Sequence, residues 1–216
     1  MAHDEAHREA GLEHRLERLV FFSDAVFAIA ITLLIIEIHP PHLHYGATIG
    51  EQAQALVGIL PEIWGFVVSF WVIGAFWAGH HRTFSVAAHW DERLFVTNLS
   101  FLLAIVAMPF FTAFMSANSF ARLPVMLYCG WMLLAALLNI NLQRRVMAPP
   151  ILSRHADPVR LAIYRRRGRA VALGAASALV ACALVPVPGM GMIVLVSMPL
   201  WRWLLEWRDR RRTTPA

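Results

Sequence analysis

Apolar residues run in long stretches along this chain, and polar residues gather between them. Six stretches, at about 18–38, 52–79, 92–116, 123–143, 170–185 and 190–205, are predicted as helices. The first four approach or exceed the roughly 20 residues that a bilayer crossing needs, and the last two are shorter. Proline sets several ends. Pro40-Pro41 stops the first stretch, and Pro186-Val-Pro-Gly189 stops the fifth. Pro61 near the start of the second is tolerable in a first turn or as a kink, and Pro109 predicts a kink in the third. Ahead of the first stretch, Leu12, Leu16 and Leu19 recur at helical spacing, so residues 1–17 read as an amphipathic lead-in.

Composition changes the picture from apolar helices to a membrane protein. Charged residues make up 15% of the chain, against about 25% in soluble domains, and the mean hydropathy is +0.56. The net charge of +5 at first suggests nucleic acid, but the placement of charge argues otherwise. All nineteen basic residues are arginine, and all but Arg122 fall in segments 1–18, 82–93, 144–169 and 202–216. With the N-terminus inside, these are the inner segments of a six-span protein, as the positive-inside rule requires. The expected organisation is a cytosolic segment 1–17, a membrane domain 18–207 and a basic cytosolic tail 208–216, with both termini cytosolic in the cell membrane. Arg165-Arg166-Arg167-Gly-Arg169 abuts a span, so lipid headgroups or topology explain it better than nucleic acid. No signal-peptide h-region precedes the first span. Cys129 and Cys182 lie in apolar runs and read as packing residues, with neither a disulfide framework nor metal spacing. His3, His7 and His14 share a helix face but have no cysteine beside them, and no metal site is expected there. Eight tryptophans partly mark span ends, whereas Trp71 and Trp131 fall inside spans and read as packing residues.

Polar groups inside the spans are the candidates for function. Ser23 and Asp24 lie in the first span, and an intramembrane carboxylate costs roughly 2.5–3.5 kcal/mol, so Asp24 needs a partner. Arg18, a histidine, Trp77 or a backbone amide could serve. Trp77, His80, His81 and Asn98 belong near the inner ends of the second and third spans. The bland reading is a polar knot locking three helices. The sharp one is an intramembrane metal or catalytic site of His80, His81 and Asp24, but adjacent histidines on a helix point about 100° apart and no HExxH motif occurs. Ile29, Thr32 and Ile36, spaced three and four apart, share one face of the first helix, with Ala25 extending it and Leu33 at its border. On the residues alone, that face lines a pore or packs against other helices or lipid.

Arg18-x-x-x-Phe22-Ser23-Asp24 matches the RxxxFSD signature of the transmembrane protein 175 family, the lysosomal potassium channels and their bacterial relatives. The following run Ala25–Ile38, Trp77-Ala-Gly-His80-His81-Arg82-x-Phe84, Asn98 and Pro109-Phe110 resemble the bacterial pattern too. The resemblance is strong over the first half of the chain and only topological in the second. It implies an all-α polytopic protein of six transmembrane helices without a P-loop filter, and a potassium-permeable channel rather than an enzyme. It implies that the first helix lines the pore, with Ile29 as the constriction and Thr32 as a layer linked to selectivity. Arg18, Ser23, Asp24, Trp77, His80, His81 and Asn98 would then form the supporting network. One helix cannot enclose a pore, so an oligomer is required, and the resemblance implies a homotetramer in lipid. No cofactor is expected beyond permeant potassium ions. No Thr-Val-Gly-Tyr-Gly filter occurs, so selectivity would come from side chains and pore width. No helix carries arginine at every third position, so voltage sensing is not expected. A proton-permeable channel is the alternative within transport; a non-conducting membrane protein or a metal-dependent intramembrane enzyme are alternatives of another class. At the outer face, Glu37, Glu51 and Glu62 would attract cations, and His39, His42 and His44 would oppose them on acidification.

Overall fold

The computed structural model describes residues 2–186 and 198–213, and side chains over 14–186 and 200–208. Its helices are α1 (Ala2–Ile36), α2 (Ile49–Gly58), α3 (Leu60–Phe84), α4 (Glu92–Val106), α5 (Met108–Ala117), α6 (Arg122–Val146), α7 (Pro158–Leu184) and α8 (Met198–Thr213). Among the described residues five stretches are long and apolar enough to cross a membrane: His14–Ile36, Ile49–Phe84, Glu92–Ala117, Arg122–Val146 and Pro158–Leu184. These agree with the first five predicted spans. Half of the sixth, 190–197, lies outside the described residues, and the other half, 198–205, forms the first part of α8.

Local chemistry explains the boundaries. The lead-in and the first span are one helix, because no proline interrupts residues 2–36. The second span is two helices that meet at Ile59. Pro61 at the start of α3 has no N–H to continue the ladder of α2. At the start of α2, Thr48 Oγ1 accepts from the Glu51 amide at 3.3 Å and the Glu51 carboxylate accepts from the Thr48 amide at 2.8 Å, a reciprocal cap. Pro109 breaks the third span at Ala107 in the same way. Such a break frees carbonyls that lipid cannot satisfy. Trp131 of α6 donates its indole N–H to one of them, Ala104 O, at 2.8 Å, and Phe111 stacks on the same indole with centroids 4.4 Å apart. Trp131 therefore packs as expected. Trp71 stands 73% exposed on α3 in the single protomer, with its ring 6.3 Å from that of Phe70.

The fifth span begins twelve residues earlier than its hydropathy predicts. Asp157 caps α7 by accepting from the Val159 amide at 2.9 Å, and Pro158 occupies the first turn. The arginine run 165–169 is consequently helical. Gly168 within it is buried against the side-chain amide of Gln143, which would have to swing aside to admit a Cβ there.

α1 packs on α3, α4 and α5, while α6 packs on α3, α4, α5 and α7, and α8 joins α7. At the arginine-rich end, Ala88 N donates to Ile151 O at 2.8 Å and Ser153 N to Val86 O at 2.9 Å, tying together the loops that follow α3 and α6. At the opposite end, Arg122 donates to Ala183 O at 2.9 Å and Val185 O at 3.3 Å, which satisfies carbonyls at the C-terminus of α7.

Candidate functional site

α1 has two unlike faces. Leu19, Ser23, Phe27, Ala30 and Leu34, at spacings of four and three, are all buried against the bundle. Ala25, Ile29, Thr32, Leu33 and Ile36 are exposed, Ile29 at 58% and Ile36 at 67%. Within the open face, Thr32 Oγ1 donates to Ile29 O at 2.9 Å. That bond spends the hydroxyl proton on the helix itself and leaves the oxygen lone pairs directed away from it.

The buried face is held by hydrogen bonds as well as by packing. Asn98 of α4 donates its amide to Ser23 Oγ at 2.9 Å, and Ser23 donates onward to Leu19 O at 2.8 Å. Asn98 Oδ1 meets His80 Nε2 of α3 at 2.9 Å. Because the Ser23 proton is committed to Leu19, the amide orientation is fixed, and His80 must carry its proton on Nε2. The chain His80, Asn98, Ser23, Leu19 thus donates in one direction across three helices. His80 Nδ1 is buried with no hydrogen-bond partner, and its ring lies among Phe84, Phe27 and Phe101 with centroids 4.5, 5.5 and 6.1 Å away. That nitrogen has no proton to place and no acceptor to meet, which suits a neutral imidazole.

Asp24 takes a separate partner, accepting from Trp77 Nε1 at 2.9 Å. Arg18 is exposed and not paired with Asp24. Six residues along a helix turn the side chain by about 240°, so the two leave on different faces. His81 is exposed, its ring centroid 6.0 Å from that of Trp77. His80, His81 and Asp24 therefore do not converge on a common point, and among the described residues no group of three His, Cys, Asp or Glu is placed to hold a metal.

A second polar cluster lies deeper in the bundle and was not singled out in the sequence. Ser69 of α3, Thr112 of α5 and Tyr128 of α6 are buried, with Ser69 Oγ 3.0 Å from Tyr128 OH and Thr112 Oγ1 2.8 Å from Ser69 Oγ. Thr112 also donates to Met108 O at 2.9 Å. The signal in the sequence was weak: Ser69 and Tyr128 are the one hydroxyl in their apolar runs, and Thr112 is one of four in its own, with Thr97, Ser100 and Ser116. At the end opposite the knot, a cavity of about 120 Å³ between α1, α3 and α5 is lined by Leu34, Glu37, Glu62, Thr112 and Ser116. Glu62 accepts from the His39 amide at 3.4 Å, and His44 Nε2 stands 3.8 Å from Glu51 Oε1.

The family described as the endosomal/lysosomal potassium channel TMEM175 matches residues 18–109, which run from the start of the signature to the break in the third span. A potassium channel of Chamaesiphon minutus is 33% identical over 153 residues, covering 69% of this chain and 75% of that protein. The endosomal/lysosomal proton channel TMEM175 of Homo sapiens is 23% identical over 205 residues, covering 90% of this chain and 40% of that protein. The crystal structure of a lysosomal potassium-selective channel TMEM175 homolog from Chamaesiphon minutus superposes with a TM-score of 0.69 at 26% identity, covering 93% of this chain and 100% of that one.

Proposed function

The chain belongs to the TMEM175 family of endosomal/lysosomal potassium channels, and we propose that it is a potassium-permeable cation channel whose conduction is passive. The observation that carries this reading is the likeness to a solved potassium-selective homolog over 93% of the chain. The two-faced α1 supports it. An apolar stripe interrupted by one outward hydroxyl is what a pore liner with a dewetting constriction needs. Ile29 forms the narrowest ring and Thr32 the hydroxyl layer one turn away, with Leu33 and Ile36 continuing the wall. One α1 cannot surround a pathway, so four copies assemble around a common axis, each contributing the same face. The knot of Ser23, Asn98 and His80, with Asp24 on Trp77, holds α1 at a fixed rotation so that this face stays turned to the axis. The arginine-rich end faces the cytosol, both termini lie there, and the protein resides in the cell membrane.

Purified protein in planar bilayers under opposed potassium and sodium gradients tests the reading. A reversal potential displaced towards the potassium equilibrium value is expected. A reversal at zero, or no current from protein that assembles normally, overturns it. The proton-channel description of the human relative favours a second reading, proton permeation by the same path. Under a pH gradient with symmetrical salt, that reading predicts a reversal that follows protons.

A further inference from the structure

α6 and α7 are antiparallel and in close contact, and two pairs of side chains fix their register. Gln143 lies against Gly168 at the arginine-rich end. Fourteen residues back along α6 and fourteen forward along α7, Cys129 meets Cys182, with Sγ atoms 3.7 Å apart. The interval is about 21 Å of helix on both sides. Midway between the two contacts, Ala136 and Ala175 are 1% and 0% exposed. Small residues along α7, from Gly168 through Ala172, Ala175 and Ala178 to Cys182, let the backbones approach. The meeting of the cysteines is thus set by the packing of two whole helices.

Both thiols are free and fully buried. A disulfide requires sulfurs about 2.05 Å apart, so closure takes roughly 1.6 Å of movement shared between two side chains. Burial excludes oxidants confined to water, and a membrane interior dissolves organic hydroperoxides.

We propose that Cys129 and Cys182 form a covalent modification site, a dithiol that an organic hydroperoxide oxidises to an intramembrane disulfide joining α6 to α7. One sulfur attacks the peroxide oxygen; an S–O bond forms, the O–O bond breaks, and the alkoxide leaves as the alcohol after taking up a proton. The resulting sulfenic acid is attacked by the second sulfur; the S–S bond forms, the S–O bond breaks, and water leaves with the remaining thiol proton. In sum two thiols lose two electrons and two protons, and one hydroperoxide becomes one alcohol and one water. The site lies away from α1, so this inference does not depend on the channel reading.

Full-length protein in liposomes, treated with cumene hydroperoxide, then denatured and alkylated, tests the proposal by intact mass. The expected product takes up no alkylating agent, weighs two hydrogens less, runs as a monomer without reductant, and regains two alkylation sites after dithiothreitol. Cys129→Ala and Cys182→Ala, treated alike, should each lack that product. Alkylation of both wild-type thiols, under conditions that oxidise a membrane-soluble dithiol added to the same liposomes, would overturn the proposal. So would oxygen adducts on separate cysteines or disulfide-linked dimers.

Discussion

The two faces of α1 differ in what their residues can be asked to do. The packed face carries Phe27, Ala30 and Leu34, each 1% exposed, and a serine whose hydrogen bonds are complete. The open face carries Ile29 and Ile36 more than half exposed, and a threonine bonded only to its own helix. Both faces are apolar, and hydropathy does not distinguish them. Neighbours do: only the packed face has polar partners on α3 and α4. The difference separates stability from function along a single helix. Changes on the packed face should alter whether the bundle holds, and changes on the open face should alter what passes.

The largest expected effect is on the packed face. Phe27→Ala removes a ring that touches His80 and Phe101, with centroids 5.5 and 6.0 Å away. It should cost on the order of 3 kcal/mol, seen as a lower unfolding temperature of the detergent-solubilised protein. Ile29→Ala, two residues along but on the open face, should change the stability by no more than about 0.5 kcal/mol and leave the unfolding temperature close to wild type. Equal destabilisation by the two would erase the distinction. Next comes the gate: Ile29→Asn should raise the resting cation leak by about an order of magnitude and weaken the preference for potassium over sodium, because a polar ring no longer dewets. Unchanged current and selectivity would remove Ile29 from the constriction. Smaller again is the knot. Asn98→Leu deletes the amide that joins His80 to Ser23, and membrane hydrogen bonds average about 0.6 kcal/mol with a maximum near 1.7. A loss of roughly 1–2 kcal/mol is therefore expected, and Ser23→Ala in the Asn98→Leu background should add little, since the two share one chain of bonds.

Much of the fold was legible because long apolar runs leave few alternatives, and prolines mark the breaks at Ile59 and Ala107. The start of α7 was not. Hydropathy reads the arginines at 165–169 as loop, but the signal that decides is local, Asp157-Pro158 as cap and first turn, and long arginine stems can lie along an apolar helix with their heads in water. The polar residues of the knot were legible because a buried amide or carboxylate in lipid must find a partner. That Asp24 takes Trp77 and stands apart from Arg18 follows from rotation around the helix, which spacing alone contains. The cluster of Ser69, Thr112 and Tyr128 was not legible, since a hydroxyl in a span can satisfy itself on the carbonyl one turn back, as Thr112 also does with Met108.

The smallest expected effect is the sharpest probe of the open face. Thr32 donates to Ile29 O, so whatever it offers to a passing ion is an acceptor lone pair, not a proton. Thr32→Ser keeps the oxygen and the bond to the helix, and should keep the wild-type potassium preference. Thr32→Val keeps the shape and removes the oxygen. If each of four hydroxyls contributes a few tenths of a kcal/mol to a partly dehydrated potassium ion, losing all four changes the potassium-to-sodium permeability ratio by roughly threefold to tenfold, at 1.4 kcal/mol per factor of ten. Bi-ionic reversal potentials measure that ratio directly. Were Thr32→Val to match wild type while Ile29→Asn did not, selectivity would reside in the width of the apolar ring alone. The open face of α1 would then act as a wall and not as a set of ligands.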